Sequence, residues 1–150
     1  MQFLENNFRQ DRFGKTKAFF FKKKIIRINS KLLNSFINYS KKEKKNIRLC
    51  LHRSKSDKLH NMLVLLFKKN NMSSPHKHIY KDEVYQIIKG IIKVTVYLKR
   101  KKATFLLDKK NPIIKIPKNV FHLVNSESGI SIFHETRIGP FKKNDSIFYK

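Results

Sequence analysis

From Ile47 to Arg137 the chain is a succession of short β-type runs broken by turn residues, with no helix-period segment between them. The alternation predicts strands at Ile47–His52, Met62–Lys68, Ser74–His78, Val84–Lys89 and Ile91–Leu98. It predicts four more at Ala103–Leu107, Pro112–Ile116, Val120–Asn125 and Ile130–Arg137. The breaks carry turn chemistry: Asn70-Asn71, Gly90, Lys99 to Lys102, Asp108 to Pro112, Pro117 to Asn119, and Ser126 to Gly129. Many short strands with frequent turns predict an antiparallel sandwich or barrel.

What precedes them is different. Ile25–Ile28 reads as a short strand. Ser30 is a good N-cap for a helix over Lys31–Tyr39, with Leu32, Leu33, Phe36 and Ile37 on one face. The basic run Lys41–Lys45 reads as a solvated turn. Residues 1–23 show no clean period, their phenylalanines falling at Phe3, Phe8, Phe13 and Phe19 to Phe21. The expected organisation is an N-terminal arm (1–23), one domain (24–141) and a C-terminal tail (142–150). A chain of 150 residues suits one domain with a full core.

Two stretches carry the chemistry. In His76-Lys77-His78-Ile79-Tyr80-Lys81-Asp82-Glu83, two histidines are two residues apart, so an extended strand points both imidazoles to one face. Glu83 stands at the head of the next strand, Val84–Lys89, and Gly90 turns the chain after it. Two imidazoles and a carboxylate on adjacent strands make half a cage for a divalent metal. In Pro117-Lys118-Asn119-Val120-Phe121-His122, a tight turn feeds a strand bearing a third histidine. By alternation, Tyr85 and Ile87 share the inward face of Glu83, Val120 and Val124 share that of His122, and Phe133 and Arg137 share that of Glu135.

Together the two stretches resemble the paired motifs of the cupin superfamily. The first fits H-x-H-x4-E-x6-G with His76, His78, Glu83 and Gly90; the second fits P-x-G-x2-H with Pro117 and His122. Asn119 stands where the family usually has Gly, and Asn111 stands at another usual Gly position. Asn is the next best residue for a left-handed turn, so both departures are mild. The lead-in narrows the resemblance. The helix, Arg48 to His52, Asp57 and His60-Asn61-Met62 are similar to the WbuC family of cupin-fold metalloproteins. The closing run Phe133 to Phe141, with its Gly139-Pro140-Phe141 turn, is similar too. The loop from Leu98 to Thr104 departs, having no Gly.

The resemblance implies a mainly β, antiparallel double-sheet jelly roll with one N-terminal helix and one metal site. It implies an association with bacterial surface polysaccharide, including lipopolysaccharide O-antigen synthesis, and so a sugar or nucleotide sugar as small-molecule substrate. The expected metal ligands are His76, His78, Glu83 and His122. Three imidazoles and a carboxylate suit Fe²⁺, Mn²⁺, Ni²⁺ or Zn²⁺ alike. Glu135 is the candidate general base; Arg48, His52, Tyr85 and Arg137 are the candidate substrate-binding residues. His60 and His134 have weaker claims. A non-catalytic cupin that binds or senses carbohydrate is the alternative, and a homodimer is compatible with either.

Composition limits the other classes. The net charge of +25 suits an anionic partner, but the lysines are spread along nearly the whole chain. Lys, Asn, Ile and Phe abound while Gly is scarce and Trp absent, the profile of an AT-rich coding sequence. No aromatic-basic interleaving runs along the chain, and no reading helix follows the core, so specific nucleic-acid binding is not expected. Cys50 is the single cysteine, which precludes an internal disulfide and reads as a small buried apolar residue. The apolar runs are too short to span a bilayer, and the first residues do not form a secretory signal. A cytoplasmic location is expected.

Overall fold

The computed structural model describes residues 6–11, 17–99 and 101–149. Within them the elements run β1 (Phe8–Gln10), β2 (Ala18–Phe21), α1 (Ser30–Glu43), β3 (Ile47–Cys50), β4 (Leu59–Phe67), β5 (His76–His78) and β6 (Glu83–Lys89). Then come β7 (Ile92–Tyr97), β8 (Lys102–Leu107), β9 (Ile113–Ile116), β10 (Phe121–Ser126), β11 (Ile130–Ile138) and β12 (Ser146–Phe148). The strands form two sheets, ordered β1-β2-β3-β4-β11-β6-β9 and β12-β5-β10-β7-β8. Except for the parallel pair of β2 with β3, the pairings are antiparallel. This is the mainly β, double-sheet architecture with one helix that the sequence predicts.

The helix starts one residue earlier than expected and runs longer. Asn29, not Ser30, is the N-cap, its side-chain oxygen accepting from the Leu32 N–H at 3.0 Å. The helix takes in Lys41 to Glu43 and stops where Lys44 turns left-handed (φ 54°). Its apolar face, Leu32, Phe36 and Ile37, closes on the outer side of the larger sheet against Ile47, Leu49, Leu63, Leu65 and Ile132. Residues 25–28 do not form the expected strand. They are a connector whose Ile26 and Ile28 pack against that cluster. A second core fills the space between the sheets, built from Phe20, Cys50, Met62, Val64, Tyr85, Val94, Leu107 and Phe133 among others. Cys50 is buried there, and burial pushes its thiol up to about 12.

The expected arm supplies β1 and β2, which lengthen the larger sheet at one edge; residues 1–5 and 12–16 lie outside the described residues. The expected tail supplies β12, which pairs with β5 at the edge of the smaller sheet. Gly90 has φ +78°, and a Cβ there would lie 2.6 Å from the Ile130 carbonyl oxygen. Asn119 takes the left-handed backbone the motif asks of it (φ 65°). Asn111 does not. Its turn is closed instead by Asp108, whose Oδ1 accepts from the N–H groups of Lys110 and Asn111, both at 2.8 Å.

Candidate metal centre

The two sequence motifs meet between the sheets. His76 and His78 project inward from β5, and His122 from its neighbour β10, where it stands opposite His76. Glu83 comes from β6 in the facing sheet, not from a strand paired with β5. One nitrogen or oxygen from each of the four lies within 4.8 Å of the others. His78, Glu83 and His122 are almost wholly buried and His76 is half-buried.

The ring nitrogens are arranged as ligands would be. His122 Nδ1 lies 2.9 Å from the Val120 carbonyl oxygen, so in the neutral ring that nitrogen carries the proton and Nε2 is bare. His78 Nδ1 lies 3.1 Å from Asp145 Oδ2, with the same result. The two Nε2 atoms stand 3.1 Å and 3.0 Å from the Glu83 oxygens. His78 Nε2 nevertheless makes no hydrogen bond, and neither does His76 Nδ1, although both are buried. Buried polar atoms are normally paired. Unpaired nitrogens facing a carboxylate across a shared point are what an ion with nitrogen and oxygen ligands requires, so the residues fit a divalent metal.

Glu83 is held from several sides. Arg137, directly across the strand pair on β11, donates from Nη1 to Oε1 at 3.0 Å. The Tyr85 hydroxyl donates to Oε2 in a short hydrogen bond and lies 3.1 Å from His122 Nε2. Burial pushes the Glu83 carboxyl up, but His122, His78 and the Arg137 charge outweigh it and hold it well below the usual carboxylate range. Burial pulls His122 down, and Glu83 outweighs that, so His122 is raised. Burial raises the Tyr85 hydroxyl, with the Glu83 and Glu135 charges adding to it.

Of the other residues singled out in the sequence, Glu135 faces the interior beside the cage and is 5% exposed. Arg137 Nη1 lies 3.1 Å from its Oε1, yet that oxygen has no hydrogen bond. Burial raises the Glu135 carboxyl and the nearby Glu83 charge adds to it, against the pull of Arg137. Arg48 is half-buried on the same interior side as Cys50, where its charge acts on Glu135 and His76. Tyr85 and Arg137 are gathered at the cage through Glu83. His52 is not; it lies past the end of β3, its ring stacked on His60 at 4.2 Å. His134 is half-buried on β11. Ile87, Val120 and Val124 pack inward as alternation predicts.

Sequence reasoning missed Asp145, which sits in a lysine-rich segment with no apolar alternation to mark it. It also missed a cross-strand row. Along the chain, basic and aromatic residues do not interleave, but pairing brings Phe121 opposite Tyr97 and Tyr97 opposite Lys102. Lys77 lies over the Phe121 ring at 4.9 Å and Lys102 over the Tyr97 ring at 5.6 Å.

Fold and site together define a cupin-like protein with a buried cluster of three histidines and one glutamate. Residues 28–105 match a domain of unknown function, DUF6016, and the chain belongs to that family. No curated protein matches the sequence. Among solved structures it is similar to a protein of Shewanella oneidensis solved by structural genomics (15% identity, 83% of this chain and 86% of that one, TM-score 0.59). It is similar also to the capsular polysaccharide assembling protein CapF of Staphylococcus aureus (11% identity, 69% and 30%, TM-score 0.58). A third is QdtA, a sugar 3,4-ketoisomerase of Thermoanaerobacterium thermosaccharolyticum in complex with TDP (12% identity, 58% and 64%, TM-score 0.52). The chain thus spans less than a third of CapF, and these likenesses are of fold. Among the described residues no helix is long and apolar enough to cross a membrane.

Proposed function

We infer that this is a metal-dependent cupin acting on a sugar or nucleotide sugar in bacterial surface-polysaccharide synthesis, lipopolysaccharide O-antigen included. The observation that carries the reading is the convergence of His76, His78, Glu83 and His122 on one buried point. The resemblance to the WbuC family supports the pathway. So do the fold likenesses to a capsular polysaccharide assembling protein and a sugar ketoisomerase. The four residues would hold Fe²⁺, Mn²⁺, Ni²⁺ or Zn²⁺, and such an ion polarises a carbonyl or lowers the pKa of a bound water.

The chain's own residues divide the remaining work. Tyr85 and Arg137 fix the Glu83 carboxylate. Arg48 offers a positive charge to an anionic substrate from the interior wall. Glu135, raised by burial, is suited to taking and returning a proton at a carbon or hydroxyl beside the ion. That carboxyl favours catalysis over simple carbohydrate binding. Residues 24–141 form the cupin unit on this reading, with the flanking segments adding edge strands.

The experiment is elemental analysis of protein purified without chelator, followed by incubation of the loaded protein with nucleotide sugars in deuterated water. Deuterium entering the sugar, and its loss in Glu135→Gln, is the expected result. Protein that takes up no divalent ion ends the reading. Loaded protein that binds nucleotide sugars without exchange or conversion moves it to the non-catalytic alternative.

A further inference from the structure

We propose that Asp145, near the end of the chain, is a positioning residue of the metal centre. It fixes the His78 ring in the tautomer that leaves Nε2 free for the ion. The proposal rests on the metal-binding reading above. Asp145 lies outside both histidine motifs and outside the stretch that matches the family.

The geometry is that of a built site. Asp145 is 3% exposed. Its Oδ2 lies 3.1 Å from His78 Nδ1 and 3.3 Å from the Lys81 ammonium, and its Oδ1 accepts from the Tyr80 N–H at 3.0 Å. Its backbone carbonyl accepts from the Ile79 N–H at 3.1 Å. β12 then lies alongside β5, Ser146 opposite His78 and Phe148 opposite His76. The Ser146 hydroxyl lies 3.2 Å from His78 Nδ1, and the Phe148 ring is 5.8 Å from that of His76.

A neutral imidazole carries one proton, and the nitrogen facing a metal must be bare. A carboxylate on Nδ1 holds the proton there and sets the ring's rotation. Lys81 is buried as well, and its ammonium also donates to the Pro140 carbonyl oxygen at 3.3 Å. Its charge offsets that of Asp145, so the pair presents His78 with an acceptor rather than an uncompensated anion. The loop between β5 and β6 and the end of the chain thereby grip one ligand from behind.

The test compares Asp145→Asn and Lys81→Met with the wild type. One readout is Zn²⁺ affinity by chelator competition; the other is the ¹⁵N shifts of the His78 ring. Asp145→Asn should weaken Zn²⁺ binding about 10- to 100-fold and mix the two tautomers. Lys81→Met, which breaks the same buried pair but leaves the carboxylate on Nδ1, should keep the proton on Nδ1. Loss of that tautomer in both variants alike, or wild-type affinity and tautomer in Asp145→Asn, would overturn the proposal while leaving the metal reading intact. If the wild type takes up neither Zn²⁺ nor Fe²⁺, Mn²⁺ or Ni²⁺, the metal reading fails, and the tautomer decides alone. A proton on Nδ1 that Asp145→Asn displaces supports ring positioning, and a proton on Nε2 overturns it.

Discussion

His76 and His122 face each other across the β5–β10 pair with ring centroids 4.5 Å apart, though they belong to motifs far apart in the chain. Neither ring pairs with the other through a hydrogen bond. With His78 and Glu83 they enclose a point that an ion would occupy. Protein purified without chelator is therefore expected to carry about one divalent ion per chain. The double substitution His76→Ala, His122→Ala should reduce metal content to background. Metal content equal to the wild type in the double variant would sink the cage.

Metal uptake should release protons. Glu83 raises His122 in the absence of an ion, and an ion requires that imidazole neutral. Calorimetry in buffers of different ionisation enthalpy should show release that grows as the pH is lowered. Uptake without release would contradict the placement of the ion beside His122.

Arg137 lies between two buried carboxyls, Glu83 and Glu135. Arg137→Met should destabilise the fold by about 3–5 kcal/mol, since it strands buried charge. Adding Glu135→Gln should recover part of the loss, because the two sites are coupled. Urea unfolding of the single and double variants gives the comparison, and strict additivity would contradict it.

The His52–His60 stack predicts acid sensitivity. Burial, with the His52 charge, lowers His60 to about 4, and burial lowers His52 too. An unfolded histidine titrates near about 6.5. Between those values the unfolded chain binds more protons, so the stability due to these rings is fully present above the upper value. It is lost as pH falls toward the lower one, at up to about 1.4 kcal/mol per pH unit for each ring. His60→Leu also removes a buried ring nitrogen that has no partner. It should flatten the slope of unfolding free energy against pH, and an unchanged slope would exclude His60 as its source.

Affinity for random single-stranded DNA is expected to be weak and to vanish near physiological salt, as for a solvated basic surface. Fluorescence anisotropy across a salt series checks it. Tight binding that persists would direct attention to the row of Lys77, Phe121, Tyr97 and Lys102.

What could be read in the sequence follows from which faces are buried. The strands from residue 47 to 138 were legible because turn residues bound each short β-type run, even where β3, β4 and β11 bury both faces, and the cage was legible because turn and strand chemistry fix its spacing. β2 lacks that framing, as a lone four-residue run inside the arm. Phe19 and Phe21 enter the core under the helix while Ala18 and Phe20 enter the core between the sheets, so no alternation remains. β12 was opaque because it is a three-residue edge strand with all its residues exposed. Its neighbour Asp145 reveals itself only through partners far away in sequence. The pairing of Glu83 across the two sheets, rather than along one, was likewise beyond a reading of neighbouring strands.

That crossing has a mechanical meaning. Three imidazoles ride on one layer and the carboxylate on the other, so an ion held among them would rivet the layers at a seam that otherwise depends on side-chain packing and the polar contacts around Glu83. Emptying the site should let the seam slip before either sheet frays. Amide exchange along β5 and β6 should then quicken on chelation, while β4 and β11, zipped to each other over their full length, keep their pace.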